Sequence, residues 1–188
     1  MDRESGTRRG AMRHHTMKIL KTVLLGLLAV WLAGFLVPER IQIPVVGASK
    51  KDWHPRSFWF EPWGTSGVHK GIDIFGKLGT GVTSTTDGLV VYTGQLGKGG
   101  NVVLILGPRW RFHYFAHLQT VQTSAFSLVS VGEPVGTLGD SGNARGKPPH
   151  LHYAITRLVP APWAMDGSTQ GYKKAIFIDP DAYLRGRP

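Results

Sequence analysis

Residues 89–118 read LVVYTGQLGKGGNVVLILGPRWRFHYFAHL. Three runs rich in β-branched, aromatic and apolar residues, 89–93, 101–106 and 111–118, are separated by LGKGG and GPRW. Short runs of this composition, bounded by Gly and Pro, are strands joined by tight turns. The same pattern extends in both directions. Downstream, residues 129–138 contain Val131-Gly132-Glu133-Pro134-Val135-Gly136, a turn flanked by β-branched residues, and 151–158 form another strand-like run. Upstream it reaches back to Gly71. No helical periodicity of useful length follows residue 40, and 179–184 provide one short closing turn. The domain is therefore expected to be all-β, with compact antiparallel sheets.

The composition agrees. Gly is abundant at 25 residues, Pro numbers 12, and charged residues are 18% of the chain, a balance that favours turns over long amphipathic helices. At 41% apolar residues, the 188-residue chain has enough to bury a core and is not a disordered polymer. There is no cysteine, which excludes disulfides, thiolate metal ligands, thiol catalysis and a lipidated cysteine. A cysteine-free chain suits an oxidising compartment.

The formal net charge is +10. Residues 1–37 carry six Lys/Arg against two acids, and the remainder carries 16 against ten. A basic domain favours anionic partners, although such an excess also simply aids solubility. No basic cluster interleaved with aromatics marks a nucleic-acid groove, and no nucleic-acid partner is expected.

Ile19–Val37 reads ILKTVLLGLLAVWLAGFLV and contains one charge, Lys21. Arg3, Arg8, Arg9, Arg13 and Lys18 precede it. Basic residues ahead of an apolar run hold the N-terminus in the cytoplasm, and the run approaches the ~20 residues that span a bilayer. Two export readings stand side by side: an uncleaved anchor in the inner (cytoplasmic) membrane with the domain beyond it, or a cleaved signal with release to the periplasm. Val46-Gly47-Ala48 has small residues for cleavage but lies far from the apolar core. Met17 is an alternative start. The expected organisation is a cytoplasmic tail with an anchor or signal over 1–37, a linker and aromatic edge over 38–59, and the main domain over 60–188. The stretch 52–67, with Trp53, Phe58, Trp59, Phe60 and Trp63, is either a wall of a cleft or plain core.

Eight histidines offer chemistry. In His69-Lys70-Gly71-Ile72-Asp73, an imidazole and a carboxylate, both good zinc ligands, flank a glycine that permits close backbone approach. In an extended stretch residues 69, 71 and 73 share one side. In His150-Leu151-His152-Tyr153 the two histidines share one strand face while Leu151 and Tyr153 take the other. Two such imidazoles belong either to a site or to a core that satisfies their nitrogens. His117, ending Phe115-Ala116-His117-Leu118, and His113 have the same strand parity, which does not choose between them. His69, Asp73 and His152 form a candidate triad for one Zn2+ ion, with the fourth position left for a water made acidic by the metal. His117 and His150 are then candidates to exchange protons or to hold a developing oxyanion. No HExxH helix supplies a glutamate base.

Taken together, these motifs resemble the M23 family of zinc metallopeptidases, the LytM and lysostaphin type. Gly100-Asn101-Val102-Val103, Val131–Gly136, Leu138-Gly139-Asp140-Ser141-Gly142-Asn143 and Asp179-Pro180 also look like family signatures, in the family's order over roughly residues 60–185. The resemblance implies a two-sheet antiparallel fold with a groove, preceded here by one N-terminal hydrophobic helix. It implies His69, Asp73 and His152 as zinc ligands and His117 and His150 as catalytic histidines. It implies hydrolysis of peptide bonds in bacterial peptidoglycan. Some relatives have lost ligands and activate other cell-wall hydrolases instead, so cell-wall machinery proteins are possible partners. This sequence keeps all five residues, which argues against that regulatory role. Residues 129–138 also resemble the turn of a biotinyl or lipoyl carrier, but no lysine sits at it. Two features depart from the family pattern: Phe115, where tyrosine is frequent, and a long Pro/Gly-containing stretch over 159–174.

Overall fold

The computed structural model describes residues 3–186, with side chains from His15 onward. The side chains of Arg3, Arg8, Arg9, Arg13 and His14 lie outside the described residues. The chain divides into two units, Met1–Val37 and Pro38–Pro188.

The first unit is one helix, α1 (Arg3–Leu36). Its apolar part, His15–Leu36, has 22 residues. At ~1.5 Å per residue such a stretch is about as long as the ~30 Å hydrocarbon layer is thick. Leu25, Leu27 and Val30 on it are exposed to solvent.

The second unit is antiparallel β. Its strands are β1 (Ile72–Phe75), β2 (Gly81–Thr83), β3 (Gly88–Gln95), β4 (Asn101–Gly107), β5 (Arg111–Val121), β6 (Leu128–Val129), β7 (Pro134–Leu138), β8 (His150–Arg157) and β9 (Phe177–Ile178). The main sheet has the order β1-β8-β5-β4-β3-β6, and β9 pairs with β8. A branch of the same nine-stranded sheet is made of β2, β7 and the C-terminal end of β5. The branch point is β5, which pairs with β8 through Ala116 and with β7 from Leu118 onward. Between them His117 adopts a left-handed backbone, φ 65°, and β5 changes partner there.

Strand parity sorts the side chains. Ile72 and Ile74 of β1, Leu151, Tyr153 and Ile155 of β8 and Phe115 of β5 are fully buried in one core with Val103, Ile105 and Leu138. Burial of each such side chain stabilises by about 1.5–3 kcal/mol. The alternate residues, Asp73, His150 and His152, face the other way. Phe115 therefore sits in the core against Tyr153, with ring centroids 5.3 Å apart, and a tyrosine hydroxyl there would point away from the histidine cluster.

The segment 38–59 does more than link. Val45 bridges to Val82 and is buried, and Trp53 is buried in the same core, its Nε1 donating to Asp181 Oδ1 at 2.7 Å. Asp181 belongs to α2 (Pro180–Leu184), the closing turn, which starts with Pro180 behind an Asp179 cap whose carboxylate accepts from the Asp181 and Ala182 amides. Glu39 is also drawn in: its carboxylate accepts from Arg111 at 2.8 Å and from the Tyr183 hydroxyl at 2.9 Å. Apolar residues at 41, 43, 45 and 53 carry this segment onto the sheet, where spacing alone suggests a tether.

Candidate metal centre

Antiparallel pairing of β1 with β8 sets Asp73 directly opposite His152. Both point to the face away from the core. His69 lies just before β1, held by two main-chain bonds: its N–H donates to Phe60 O at 2.9 Å, and its carbonyl accepts from Trp59 N at 2.7 Å. The chain then turns past Gly71. A Cβ at Gly71 would stand 2.5 Å from Tyr153 O and 2.9 Å from His152 Cε1, so only glycine lets His69 and Asp73 close on His152.

The three side chains present a compact donor set. His69 Nε2 is 3.1 Å from Asp73 Oδ1, His152 Nδ1 is 2.9 Å from the same oxygen, and the two nitrogens are 3.0 Å apart. His69 Nδ1 lies 3.0 Å from Ser57 O, which can only accept, so Nδ1 carries a proton and Nε2 is the ring atom turned toward Asp73 and His152. Ser57 Oγ, at 2.9 Å, reinforces this orientation. Lone pairs crowded together repel unless a cation or proton lies among them. Ligands at ~2.0–2.1 Å from a tetrahedral zinc are spaced about 3.3 Å apart, close to what these donors show. The donor set thus fits Zn2+ in chemistry and in spacing, with three ligand groups from this chain.

Electrostatics point the same way. Burial pushes the Asp73 carboxyl up, but hydrogen bonds from His152 and His69, together with their charge, hold it well below the usual carboxylate range. Burial lowers the His152 pKa, against the pull of Asp73. The site therefore favours an ionised Asp73 carboxylate and, at His152, the neutral imidazole, the forms that bind metal.

Two further imidazoles border the cluster. His150, on the same face of β8 as His152, donates from Nδ1 to Pro148 O at 2.8 Å and brings Nε2 to 4.0 Å from Asp73 Oδ2. His117 donates from Nδ1 to Ser141 O at 2.9 Å, and its ring lies 5.1 Å from that of His150. Burial, then the charge of His152, moves His117 down to about 4, against the Ser141 hydrogen bond. The left-handed backbone at His117 is what brings it here. His113, of the same parity, stays in regular strand and is fully buried, hydrogen-bonded to the Tyr153 hydroxyl at 2.7 Å.

Glycines also place Ser141. A Cβ on Gly100 or on Gly142 would collide with the backbone of the other, so these glycines let the 139–143 loop pack on the turn before β4. The Asn101 amide donates to Ser141 Oγ at 2.9 Å across that contact.

Two adjoining cavities flank the cluster and share Trp63, Ser66, His117, Asn143 and His152. One, of about 510 Å³, opens beside Asp73 and His150. The other, of about 240 Å³, opens beside His69, Lys70 and Lys98. Trp63 forms a wall of both. The aromatic segment is thus divided, with Trp53 in the core and Trp63 at the cleft. The 159–174 stretch braces it: Trp59 Nε1 donates to Thr169 O at 3.0 Å, and Gln170 Nε2 donates to Ser66 O at 3.1 Å. Ser57, Lys98 and Tyr114 carry no sequence signal of their own, since each reaches the site through loop or register geometry, whereas Asn143 closes the Leu138–Asn143 signature.

Residues 67–179 match Peptidase family M23. The chain is 36% identical over 117 residues to the L-Ala–D-Glu endopeptidase of Bacillus subtilis (strain 168), a stretch covering 56% of this chain and 35% of that protein. It is 34% identical over 139 residues to the murein hydrolase activator NlpD of Salmonella dublin, covering 65% of this chain and 36% of that protein. It therefore spans about a third of the length of these curated relatives. In structure it is similar to the catalytic domain of the antimicrobial peptidase lysostaphin from Staphylococcus simulans, with a TM-score of 0.53, 25% identity, and coverage of 66% of this chain and 85% of that one. With the match spanning more than half of its residues, the chain belongs to Peptidase family M23.

Proposed function

We propose that the chain is a zinc-dependent endopeptidase that hydrolyses peptide bonds of bacterial peptidoglycan outside the cytoplasm. The observation that carries this reading is the convergence of His69, Asp73 and His152 within 4.8 Å of one another, at the junction of two cavities and beside His117 and His150. Bound by those three ligands, Zn2+ would supply Lewis acidity toward a substrate carbonyl and toward water.

The protein's own groups supply the rest. His117 and His150 each commit Nδ1–H to a backbone carbonyl, which leaves Nε2 as the basic nitrogen. Either imidazole can take a proton from the attacking water and return one to the departing amine. Once protonated, it can also donate to the oxygen on which negative charge develops. Trp63 covers one face of His69 and limits water there. The helix His15–Leu36 fits a membrane anchor that would keep the domain close to its polymeric substrate.

A second reading has its own support, since the similarity to a murein hydrolase activator extends over 65% of the chain. In that case the domain would bind and activate other cell-wall hydrolases. Retention of the full donor set together with both flanking histidines favours catalysis. The deciding experiment measures zinc content of the full-length chain and, by mass spectrometry, the fragments it releases from purified peptidoglycan. Stoichiometric zinc with new peptide termini supports the endopeptidase. A zinc-loaded protein that leaves cross-linked muropeptides intact speaks for the activator.

A further inference from the structure

The smaller cavity has a chemical bias that catalysis does not explain. Lys70 and Lys98 both line it, and no carboxylate does. Lys70 Nζ donates to Ser66 O at 2.9 Å and to Val68 O at 3.3 Å. Lys98 Nζ donates to Thr65 Oγ1. These contacts tether both side chains, Lys70 half-buried and Lys98 exposed at the cavity rim, and each ammonium has three N–H donors, more than the contacts use. Lys173, tied to Gln170 at 2.9 Å, is close enough for its charge to act on Lys70. Tyr114 and Asn143 add neutral donors to the same wall, and Gly99 leaves room for the Tyr114 hydroxyl, which a Cβ there would strike.

Like charges held at one small cavity repel one another until an anion joins them. The neighbouring acids are engaged elsewhere: Asp73 lies within the donor set, and Asp166 pairs with Lys174 at 2.6 Å. Lysine is a compact point charge, suited to a single carboxylate on a flexible ligand.

We propose that the cavity bounded by Lys70, Lys98, Tyr114 and Asn143 is a carboxylate subsite that binds a free carboxylate of the peptide lying across the metal centre. This deepens the endopeptidase reading and rests on it for the peptide nature of the ligand. It makes the protein selective for acidic peptides over their amidated forms. The recognised group is either a side-chain carboxylate or a terminal one.

The test uses zinc-loaded full-length protein in detergent and three synthetic stem peptides: the free acid, one amidated at its internal acidic residue, and one amidated at its C-terminus. Affinities are measured by calorimetry for the wild type and for Lys98→Ala. The free acid should bind about tenfold more tightly than one of the amides, the size of a charge-assisted hydrogen bond. The amide that loses affinity identifies the carboxylate. Lys98→Ala should reduce that ratio to about threefold or less, Lys70 remaining in place. Equal affinity for all three peptides, no binding of any, or full discrimination in Lys98→Ala overturns the subsite. Hydrolysis is followed separately: discrimination in binding with no cleavage leaves the subsite standing and removes the endopeptidase.

Discussion

Trp63 lies face to face with His69, their ring centroids 4.0 Å apart and their planes inclined by 22°. The tryptophan is 38% exposed and lines the cleft. One side chain thus packs on a candidate metal ligand and borders the cleft. Trp63→Ala should keep the fold, because the core does not include it. Zinc affinity should fall by up to about tenfold, the worth of one ring contact. Zinc titration should also change tryptophan fluorescence in the wild type and change it much less in Trp63→Phe.

Ligands and flanking histidines should separate in a simple mutant series. Asp73→Ala or His69→Ala leaves two donors, so metal and activity should disappear together. His150→Ala should retain zinc while activity falls by about 10²–10⁴, as for loss of a general acid–base group. Elemental analysis beside a hydrolysis assay checks both. Full occupancy in Asp73→Ala would contradict the ligand assignment, and loss of zinc in His150→Ala would exchange the roles of His150 and His152.

Gly71 is a steric prediction. The added methyl of Gly71→Ala meets the Tyr153 carbonyl at 2.5 Å and the His152 ring at 2.9 Å, and neither can retreat without opening the β1–β8 pair. The variant should lose about 1–3 kcal/mol of stability, typical of overpacking. It should also bind zinc more weakly, because the two halves of the donor set are driven apart. Thermal unfolding with and without zinc distinguishes the two effects.

His113 gives the core a pH dependence of its own. Burial, assisted by the charge of Arg111, lowers its pKa from 6.5 to about 3. The folded protein therefore keeps His113 neutral, while the unfolded chain takes up a proton below 6.5. Its contribution to stability is complete above pH 6.5 and is lost as pH falls toward 3, at no more than about 1.4 kcal/mol per pH unit. Chemical denaturation between pH 7 and pH 4 should show a shallower decline in His113→Asn than in the wild type. Parallel curves would mean that His113 does not titrate with unfolding.

Much of the centre was legible in the sequence because strand parity and one glycine are local rules. Asp73, His150 and His152 obey period two, and Gly71 permits the close approach that the HxxxD spacing suggests. Parity fails at His117. A left-handed residue inside β5 moves it off the face that His113 keeps, and no residue type announces that turn. Ser57 acts through its carbonyl, which leaves no trace in side-chain chemistry. The stretch holding Trp53 could be read as cleft wall or core, and the structure divides it, because an irregular segment has no period to reveal its buried side.

The bond from the His69 ring to the Ser57 carbonyl bears on where the proposed endopeptidase begins. Family likeness starts at residue 67, ten positions after the group that sets the orientation of the first ligand. A truncated enzyme cut at that border would retain every candidate ligand and both flanking histidines. It would nevertheless discard the scaffold that aims one of them, along with the strip that seals the back of the sheet. The smallest fragment able to hold the donor set in place should instead start near Pro38, so that most of the region between the apolar helix and the family match belongs to the working domain.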